Sequence, residues 1–276
     1  MNLPPAVEAM LQALLSGVQQ VLGDNLVGVY LRGSLATGEF VPETSDLDVF
    51  AATERPVSEE EFAALAALHT HLRALPNPYA RRLEMAYVDR VALRRFAPDQ
   101  RHPTLGQGEA LQWSEHSTNW ILERWALREH GVALLGPDPR ALIDPVSPDE
   151  LRAAVRLRLR DWEDWANDDE DPDWSLPRAH KAYVVETMCR ALHTLACGEL
   201  ASKQRAVAWA AKTLPQPWSL TVERSRSWHG DNTPDSALVS EVRRFVLWAA
   251  SVGEEEGEWA SSLPSGRESS TRGPVT

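Results

Sequence analysis

The chain has 276 residues, of which 43% are hydrophobic and 25% charged, a composition that supports a large core and excludes a disordered chain or a small disulfide scaffold. Its 40 acidic and 28 basic residues give a net charge of -12, which disfavours nucleic-acid binding and favours cationic small-molecule partners. Two cysteines without metal-ligand spacing, and a start without a basic segment before an apolar run, predict a cytoplasmic protein. We expect a monomer that binds no membrane.

The first ninety residues contain alternating helix and strand patterns. Apolar residues recur every three or four positions over 7–22, which predicts an amphipathic helix. Two apolar runs, 26–32 and 46–52, predict strands joined by a turn. Ser58, followed by three glutamates, predicts the start of another helix, and the run 81–88 predicts a third strand. This order of elements predicts a small α/β unit.

The second half of the chain is predicted to be helical. A helix over 119–130 precedes a proline-rich stretch, 136–148, where we place a domain boundary. Four helical patterns follow it, over residues 148–166, 178–196, 202–214 and 236 to about 256. The predicted fold class is α+β, with an α/β domain over 1–147, an all-α helical bundle over 148–263 and a flexible tail over 264–276.

The most informative segment places Gly33 and Ser34 after the first strand, and Asp46 and Asp48 at the start of the second. Residues two apart in a strand point to the same face, so the two aspartates present adjacent carboxylates, which repel each other unless a divalent cation neutralises them. Glycine allows close approach of a phosphate, and serine offers a hydroxyl. Glu84 lies centrally in the third strand, where burying its charge is costly unless the side chain faces the same cluster. The three carboxylates predict magnesium-assisted phosphoryl chemistry.

Each part of this segment also has a structural explanation. A surface strand can carry alternating acids, Gly-Ser is a common turn, and Glu84 can face water on an edge strand. The ordered conjunction of all these parts is much more specific than any one of them. We therefore favour the functional interpretation.

This arrangement resembles the nucleotidyltransferase superfamily built on the polymerase-beta-like palm, whose motif is a hydrophobic residue, Gly, Gly or Ser, a gap, and Asp-hydrophobic-Asp. The segments 128–137, 144–151 and 188–215 resemble the inter-domain stretch and the helical domain of the aminoglycoside adenylyltransferases that modify streptomycin and spectinomycin. The resemblance covers most of residues 26–230. It implies an antibiotic-resistance enzyme that uses ATP and two magnesium ions in a cleft between its domains.

The resemblance also implies roles for the matching residues. Glu84 is the implied general base, which takes the proton of a substrate hydroxyl as that hydroxyl attacks the α-phosphate of ATP and pyrophosphate leaves. The implied magnesium ligands are Asp46, Asp48 and Glu84. The implied nucleotide contacts are Gly33, Ser34, Ser45, Arg190, Lys203 and Trp228. The implied aminoglycoside contacts are Trp113, His180 and Tyr183.

Structural alternatives stay open for the residues of the second half. Arg190 has the spacing of an ion pair with Glu186, Lys203 fits a solvated first-turn lysine, and Trp228 fits a core position. The stretch 161–173 holds eight acids, with tryptophans among and after them. Such a stretch suits a polycationic ring system, and it equally suits a solvated loop.

The acceptor is also open. His180 stands where the family has an acidic residue, which leaves the same chemistry on another small-molecule or protein acceptor as an alternative. A non-catalytic nucleotide-binding module is a further alternative, and the intact carboxylates argue against it.

Overall fold

A six-stranded mixed sheet organises the first part of the chain in a computed structural model that describes residues 3–254. The strands are, in chain order, β1 (Leu26–Leu31), β2 (Leu47–Thr53), β3 (Leu83–Asp89), β4 (Arg101–Leu105), β5 (Gln112–Glu115) and β6 (Val132–Leu135). Their spatial order is β5-β4-β3-β2-β1-β6. Strands β2 and β3 run parallel, and the other neighbouring pairs run antiparallel.

Five helices accompany this sheet within the described residues. They are α1 (Pro5–Leu22), α2 (Gly33–Thr37), α3 (Glu59–Arg73), α4 (Arg90–Arg94) and α5 (Asn119–His130). Helix α3 supplies the crossover that the parallel pair β2 and β3 requires. Its predicted start is confirmed, because Ser58 Oγ accepts from the N–H of Glu61 while Glu61 Oε2 accepts from the N–H of Ser58.

The sheet is covered on both faces. Helices α1 and α3 cover one face, where the predicted amphipathic helix buries Val7, Met10, Leu11, Leu14, Val18 and Leu22. Alternate residues of the central strands point to the other face, where Tyr30, Phe50 and Ala86 pack with Leu127 of α5 and Ile143. Residues that continue this second alternation towards the ends of the strands include Asp48 and Glu84, and Arg32 beside them reaches Glu123 of α5.

The second part of the chain is helical, as predicted. Its helices are α6 (Pro148–Asn167), α7 (Arg178–Cys197), α8 (Lys203–Thr213), α9 (Trp218–Ser225) and α10 (Val239–Glu254). Helix α7 is largely buried, and α8, α9 and α10 pack against it. Among residues 3–254, no helix is both long and apolar enough to cross a membrane.

The chain divides into two compact units between Ala154 and Val155, within α6. The predicted bounds of the domains, 1–147 and 148–263, stay a prediction. The predicted tail, 264–276, lies outside the described residues, as does the predicted end of the last helix near 256.

Several elements were not predicted from sequence. Residues 33–37, predicted as a turn, form the short helix α2, and β4, β5, β6 and α9 had no counterpart in the prediction. Each of these elements has at most eight residues, so its periodicity is too short to be detected alone. Strand β4 also contains Pro103, which argues against a strand in sequence.

Candidate active site

Three charged side chains form a row across the neighbouring strands β1, β2 and β3. Asp48 and Glu84 are register partners in the parallel pair, and the backbone N–H of Arg32 donates to the carbonyl oxygen of Asp48 at 2.9 Å. Paired residues of neighbouring strands share a face of the sheet. The guanidinium of Arg32 accordingly lies 3.6 Å from Asp48 Oδ1 and 3.8 Å from Glu84 Oε2. The predicted neighbourhood of Asp48 and Glu84 is thus present.

A fourth carboxylate reaches this row from helix α5. Arg32 Nη1 donates to Glu123 Oε2 at 2.6 Å, the shortest ion pair that Arg32 makes. Only 15% of the Arg32 side chain is exposed. We call Asp46, Asp48, Glu84 and Glu123 the carboxylate cluster, with Arg32 as its central cation.

Asp46 lies just before β2 and is fixed by two long polar side chains. Gln107 Nε2, in the turn between β4 and β5, donates to Asp46 Oδ1 at 2.9 Å, and Arg82 Nε lies 3.6 Å from the same oxygen. Arg82 also donates to the carbonyl oxygen of Ser45. The start of β3 and the β4–β5 turn therefore hold the segment that carries the first aspartate.

Gly33 has two separate reasons to be glycine. Its φ of +60° lies in the left-handed region, and a Cβ at this position would overlap the carboxylate of Asp48. The structure thus adds to the sequence interpretation: besides any approach of a phosphate, the missing side chain makes room for Asp48. Ser34 follows within α2, and the Ser45 hydroxyl accepts from the N–H of Val41 at 2.9 Å. The nucleotide roles of Ser34 and Ser45 stay predictions.

The surroundings of Glu84 change its acidity. Burial, and next the charge of Asp48, raise the pKa of Glu84 to about 7, although Arg32 opposes the rise. Burial alone would lower the pKa of Arg32, but the charges of Glu123, Asp48 and Glu84 outweigh it and leave that pKa raised. Arg32 therefore stays protonated, while Glu84 can exchange a proton near neutral pH.

The carboxylate cluster offers oxygen ligands of the kind that a divalent cation prefers. Within residues 3–254, no three histidine, cysteine or acidic side chains form a metal cage by themselves. Magnesium, however, is commonly bound by one or two carboxylates together with water and substrate phosphates. Asp46 and Asp48 supply hard oxygen ligands of this kind, and the pKa of Glu84, raised by burial and next by the charge of Asp48, reflects in part a carboxylate repulsion that a cation relieves. The donor chemistry fits.

In the second unit, the structure brings together three of the predicted residues. Lys203 Nζ lies 5.8 Å from the centre of the Tyr183 ring, and the rings of His180 and Tyr183 lie 6.0 Å apart. Lys203 is the first residue of α8, which Ser202 caps by accepting from the N–H of Arg205. Burial lowers the pKa of His180, which favours the neutral form of this imidazole.

Arg190 and Trp228 have different surroundings. Arg190 is exposed and donates through Nε to the carbonyl oxygen of Ala201, at 3.3 Å, in the segment leading to α8. Glu186 Oε1 lies 2.9 Å from His229 Nε2, rather than in the alternative pair with Arg190. Trp228 is only 5% exposed. Its nucleotide contact stays a prediction, and its burial matches the core alternative.

Trp113, predicted to contact the antibiotic, packs within the first unit. It lies in β5, is partly buried, and stacks on Phe62 of α3 with ring centres 5.2 Å apart. This contact joins the β4–β5 hairpin to α3. A role of Trp113 in substrate binding stays a prediction.

The acidic stretch 161–173 contacts its own neighbours. Trp165 stacks on Trp174 with ring centres 4.0 Å apart, and Trp174 Nε1 donates to the carbonyl oxygen of Asp168 at 2.9 Å. Asp169 forms an ion pair with Arg243 of α10. The tryptophans therefore pack against one another, while most acids of the stretch, on the end of α6 and in the segment after it, are exposed.

Sequence reasoning missed four residues of this site: three contact the predicted carboxylates, and the fourth, Glu123, contacts Arg32. These residues are Arg32, Arg82, Gln107 and Glu123. Arg32 and Arg82 had a signal, because each lies within two residues of a predicted site residue in a strand pattern. Gln107 and Glu123 had none, since they are 61 and 91 residues away from their partners.

Two family models match this chain in the order of its units. Residues 12–91 match the nucleotidyltransferase domain, and residues 141–250 match the C-terminal domain of aminoglycoside adenylyltransferases. The first match contains Asp46, Asp48 and Glu84, and the second contains Arg190 and Lys203. The order of these domains is the one predicted from sequence.

Curated relatives match over most of the chain. An aminoglycoside (3'')(9) adenylyltransferase of Klebsiella pneumoniae is 24% identical over 87% of this chain and 92% of its own length. A spectinomycin 9-adenylyltransferase of Staphylococcus aureus is 24% identical over 84% of this chain and 89% of its own length. The fold is similar to that of spectinomycin adenyltransferase AAD(9) from Enterococcus faecialis, solved with ATP and spectinomycin. The TM-score is 0.69 at 16% identity, over 90% of this chain and 99% of that one.

Proposed function

We propose that this chain, which belongs to the aminoglycoside adenylyltransferases and is a nucleotidyltransferase, adenylylates a hydroxyl of an aminoglycoside-type antibiotic. The proposed donor is ATP with magnesium, and the proposed acceptors are streptomycin and spectinomycin. The reaction releases pyrophosphate. We place this reaction in the cytoplasm, as the sequence predicts.

One observation carries the proposal: Asp48 and Glu84 are register partners on parallel strands, with Asp46 two residues ahead. This arrangement gives carboxylates to a magnesium ion and, beside them, a carboxylate with its pKa raised to about 7 by burial and by Asp48. A general base near neutrality and a metal-binding pair are the two requirements of hydroxyl attack on a phosphate. The family assignment and the relatives support the same chemistry.

In the proposed reaction, the oxygen of the acceptor hydroxyl attacks the α-phosphorus of ATP. Glu84 takes the hydroxyl proton, a new phosphorus–oxygen bond forms, and the bond to the leaving pyrophosphate breaks. Asp46 and Asp48, with Glu84 beside them, would hold magnesium, which offsets the charge developing on the phosphate oxygens. Gly33, Ser34 and Ser45 are the residues of the first unit that we assign to the nucleotide.

We assign the other contacts by the family resemblance. The nucleotide contacts proposed in the second unit are Arg190, Lys203 and Trp228, and the aminoglycoside contacts proposed are Trp113, His180 and Tyr183. Lys203 combines its charge with the capped start of α8, which favours an anion. We keep the predicted domains, 1–147 and 148–263, as part of this proposal.

A second candidate is the same transfer to a different small-molecule or protein acceptor. His180 favours it, because its pKa is lowered by burial and a neutral imidazole replaces the acidic residue that the family has there. A cationic antibiotic loses one attractive charge at this position.

The test is pyrophosphate release by the purified protein with ATP and magnesium. The acceptors are streptomycin, spectinomycin, kanamycin and none, and Asp48→Asn is the inactive control. Release that depends on streptomycin or spectinomycin would support the first candidate. Bound ATP without release across the panel would favour the second, and release that is equal with and without any aminoglycoside would contradict the first.

A further inference from the structure

Arg32 occupies the position that the superfamily motif gives to a hydrophobic residue, directly before Gly33. A hydrophobic side chain there would leave the carboxylates of the row without a protein cation between them. In this chain, the guanidinium instead lies within 4 Å of three carboxylates, those of Asp48, Glu84 and Glu123. The departure from the motif therefore places a permanent positive charge inside the candidate metal site.

Both the backbone and the side chain of Arg32 are held in place by hydrogen bonds. The backbone N–H of Arg32 donates to the carbonyl oxygen of Asp48, which continues the hydrogen bonding between β1 and β2. The side chain donates through Nη1 to Glu123 Oε2 at 2.6 Å. A buried arginine with a short ion pair on a neighbouring helix loses little further entropy by staying in place. Glu123 thus anchors Arg32 where it also faces Asp48 and Glu84.

The charges of the site explain why such an anchor is needed. Four carboxylates and two arginines, Arg32 and Arg82, meet at this end of the sheet. Arg82 contacts Asp46 and the carbonyl oxygen of Ser45, in the loop before β2, so its charge is not the one beside the Asp48–Glu84 pair. Arg32 is the cation of that pair, and cations that share the same oxygen ligands compete.

We propose that Arg32, anchored by Glu123, takes the place of one of the two divalent cations that the family resemblance implies, so that this site binds a single one. Arg32 is a positioning residue in this assignment, because it holds Asp48 and Glu84 in place without touching the reacting atoms. The assignment rests on the proposed function for the identity of the nucleotide. The competition between Arg32 and a metal ion does not depend on it.

The first experiment uses manganese alone and the full-length protein, with bound manganese measured by electron paramagnetic resonance. Arg32→Leu restores the hydrophobic residue of the motif and is expected to bind Mn²⁺ at least about tenfold more tightly than the unaltered chain, because a competing charge is gone. Arg32→Lys keeps the charge and is expected to stay within about twofold of it. Arg90→Leu removes the same charge from an exposed pair with Glu54 and is the matched control, expected to change nothing.

A second readout is thermal stability. Without metal, Arg32→Leu leaves Asp48 and Glu84 uncompensated, so its melting temperature should fall and should recover on addition of Mn²⁺ more than that of Arg90→Leu. If Arg32→Leu does not fold, Arg32→Gln tests the same point, because it removes the charge and keeps polar contacts. The proposal would be overturned if Arg32→Leu had the same manganese affinity and the same recovery of melting temperature as Arg90→Leu. If Arg32→Gln is used in place of Arg32→Leu, the same comparison applies.

The number of metal ions is then counted with a non-hydrolysable ATP analogue. The unaltered chain is expected to bind one Mn²⁺ and Arg32→Leu two; two in both would overturn the substitution of a metal by Arg32. Absence of analogue binding by the unaltered chain would contradict the proposed function instead. The experiment with manganese alone would still decide whether Arg32 competes for the carboxylates.

Discussion

The chain has two regions rich in carboxylates, the cluster at the start of β2 and β3 and the stretch 161–173 in the second unit. In the cluster, Asp48 and Glu84 are held by strand pairing and by the mostly buried Arg32, and the pKa of Glu84 is raised to about 7 by burial and by Asp48. In the stretch, most acids are exposed and the tryptophans among and after them pack against one another. The stretch has twice as many acids, yet only the cluster has the geometry of a reactive site.

The largest expected difference between the two regions is a loss of turnover when an acid of the carboxylate cluster is replaced. We expect Glu84→Gln to lower the rate of pyrophosphate release by about 10²–10⁴-fold, the usual contribution of a general base, while ATP affinity is kept. Asp46→Asn should weaken magnesium-ATP binding as well. Rate assays and calorimetry check both, and full activity of Glu84→Gln would show that the base is another group.

The next largest effect is expected when Gly33, which lies against the Asp48 carboxylate, is replaced. We expect Gly33→Ala to lower the free energy of unfolding by about 1–3 kcal/mol and to abolish activity, because a Cβ is strained at this φ and also displaces the Asp48 carboxylate. Gly38→Ala is the matched control: its φ of +78° is also left-handed, but a Cβ there has open space. Denaturant unfolding and rate assays should show full activity for Gly38→Ala, and an active Gly33→Ala would contradict the argument.

The raised pKa of Glu84 predicts a pH dependence of stability in the absence of metal. The folded chain keeps the Glu84 proton up to about pH 7, whereas the unfolded chain releases it near the ordinary value of 4.5. The folded state therefore loses stability as pH rises from about 4.5 through about 7. Unfolding free energies over this range should fall less steeply for Glu84→Gln. Identical slopes would show that Glu84 has an ordinary pKa.

The smallest effect is expected in the acidic stretch. Asp164 is exposed, so Asp164→Asn should change the free energy of unfolding by less than about 0.5 kcal/mol and leave ATP and antibiotic kinetics unchanged. Denaturant unfolding and steady-state kinetics measure these quantities. A raised KM for the antibiotic alone would instead assign the stretch to cation binding.

The elements with long patterns were predicted well from sequence. Helix α1, the cap of α3, the strands β1 to β3 and the helical second half follow from local periodicity and capping, which act within a few residues. Strands β4, β5 and β6 escaped prediction because they have four or five residues each and depend on pairing with other strands, which for β6 is the distant β1. Short strands gain their stability from neighbours that the local sequence does not contain.

The sequence by itself predicted that Asp46 and Asp48 lie together near the start of β2, because strand alternation is a local property, and that Gly33 directly follows β1. Only the tertiary structure decided that Glu84 is the register partner of Asp48, that Glu123 anchors Arg32, and that Gln107 reaches Asp46. Those contacts join residues 36 to 91 positions apart, and their geometry depends on sheet register and helix packing. The local sequence therefore predicts the two aspartates, whereas the contacts that join Glu84, Glu123 and Arg32 to them depend on the fold.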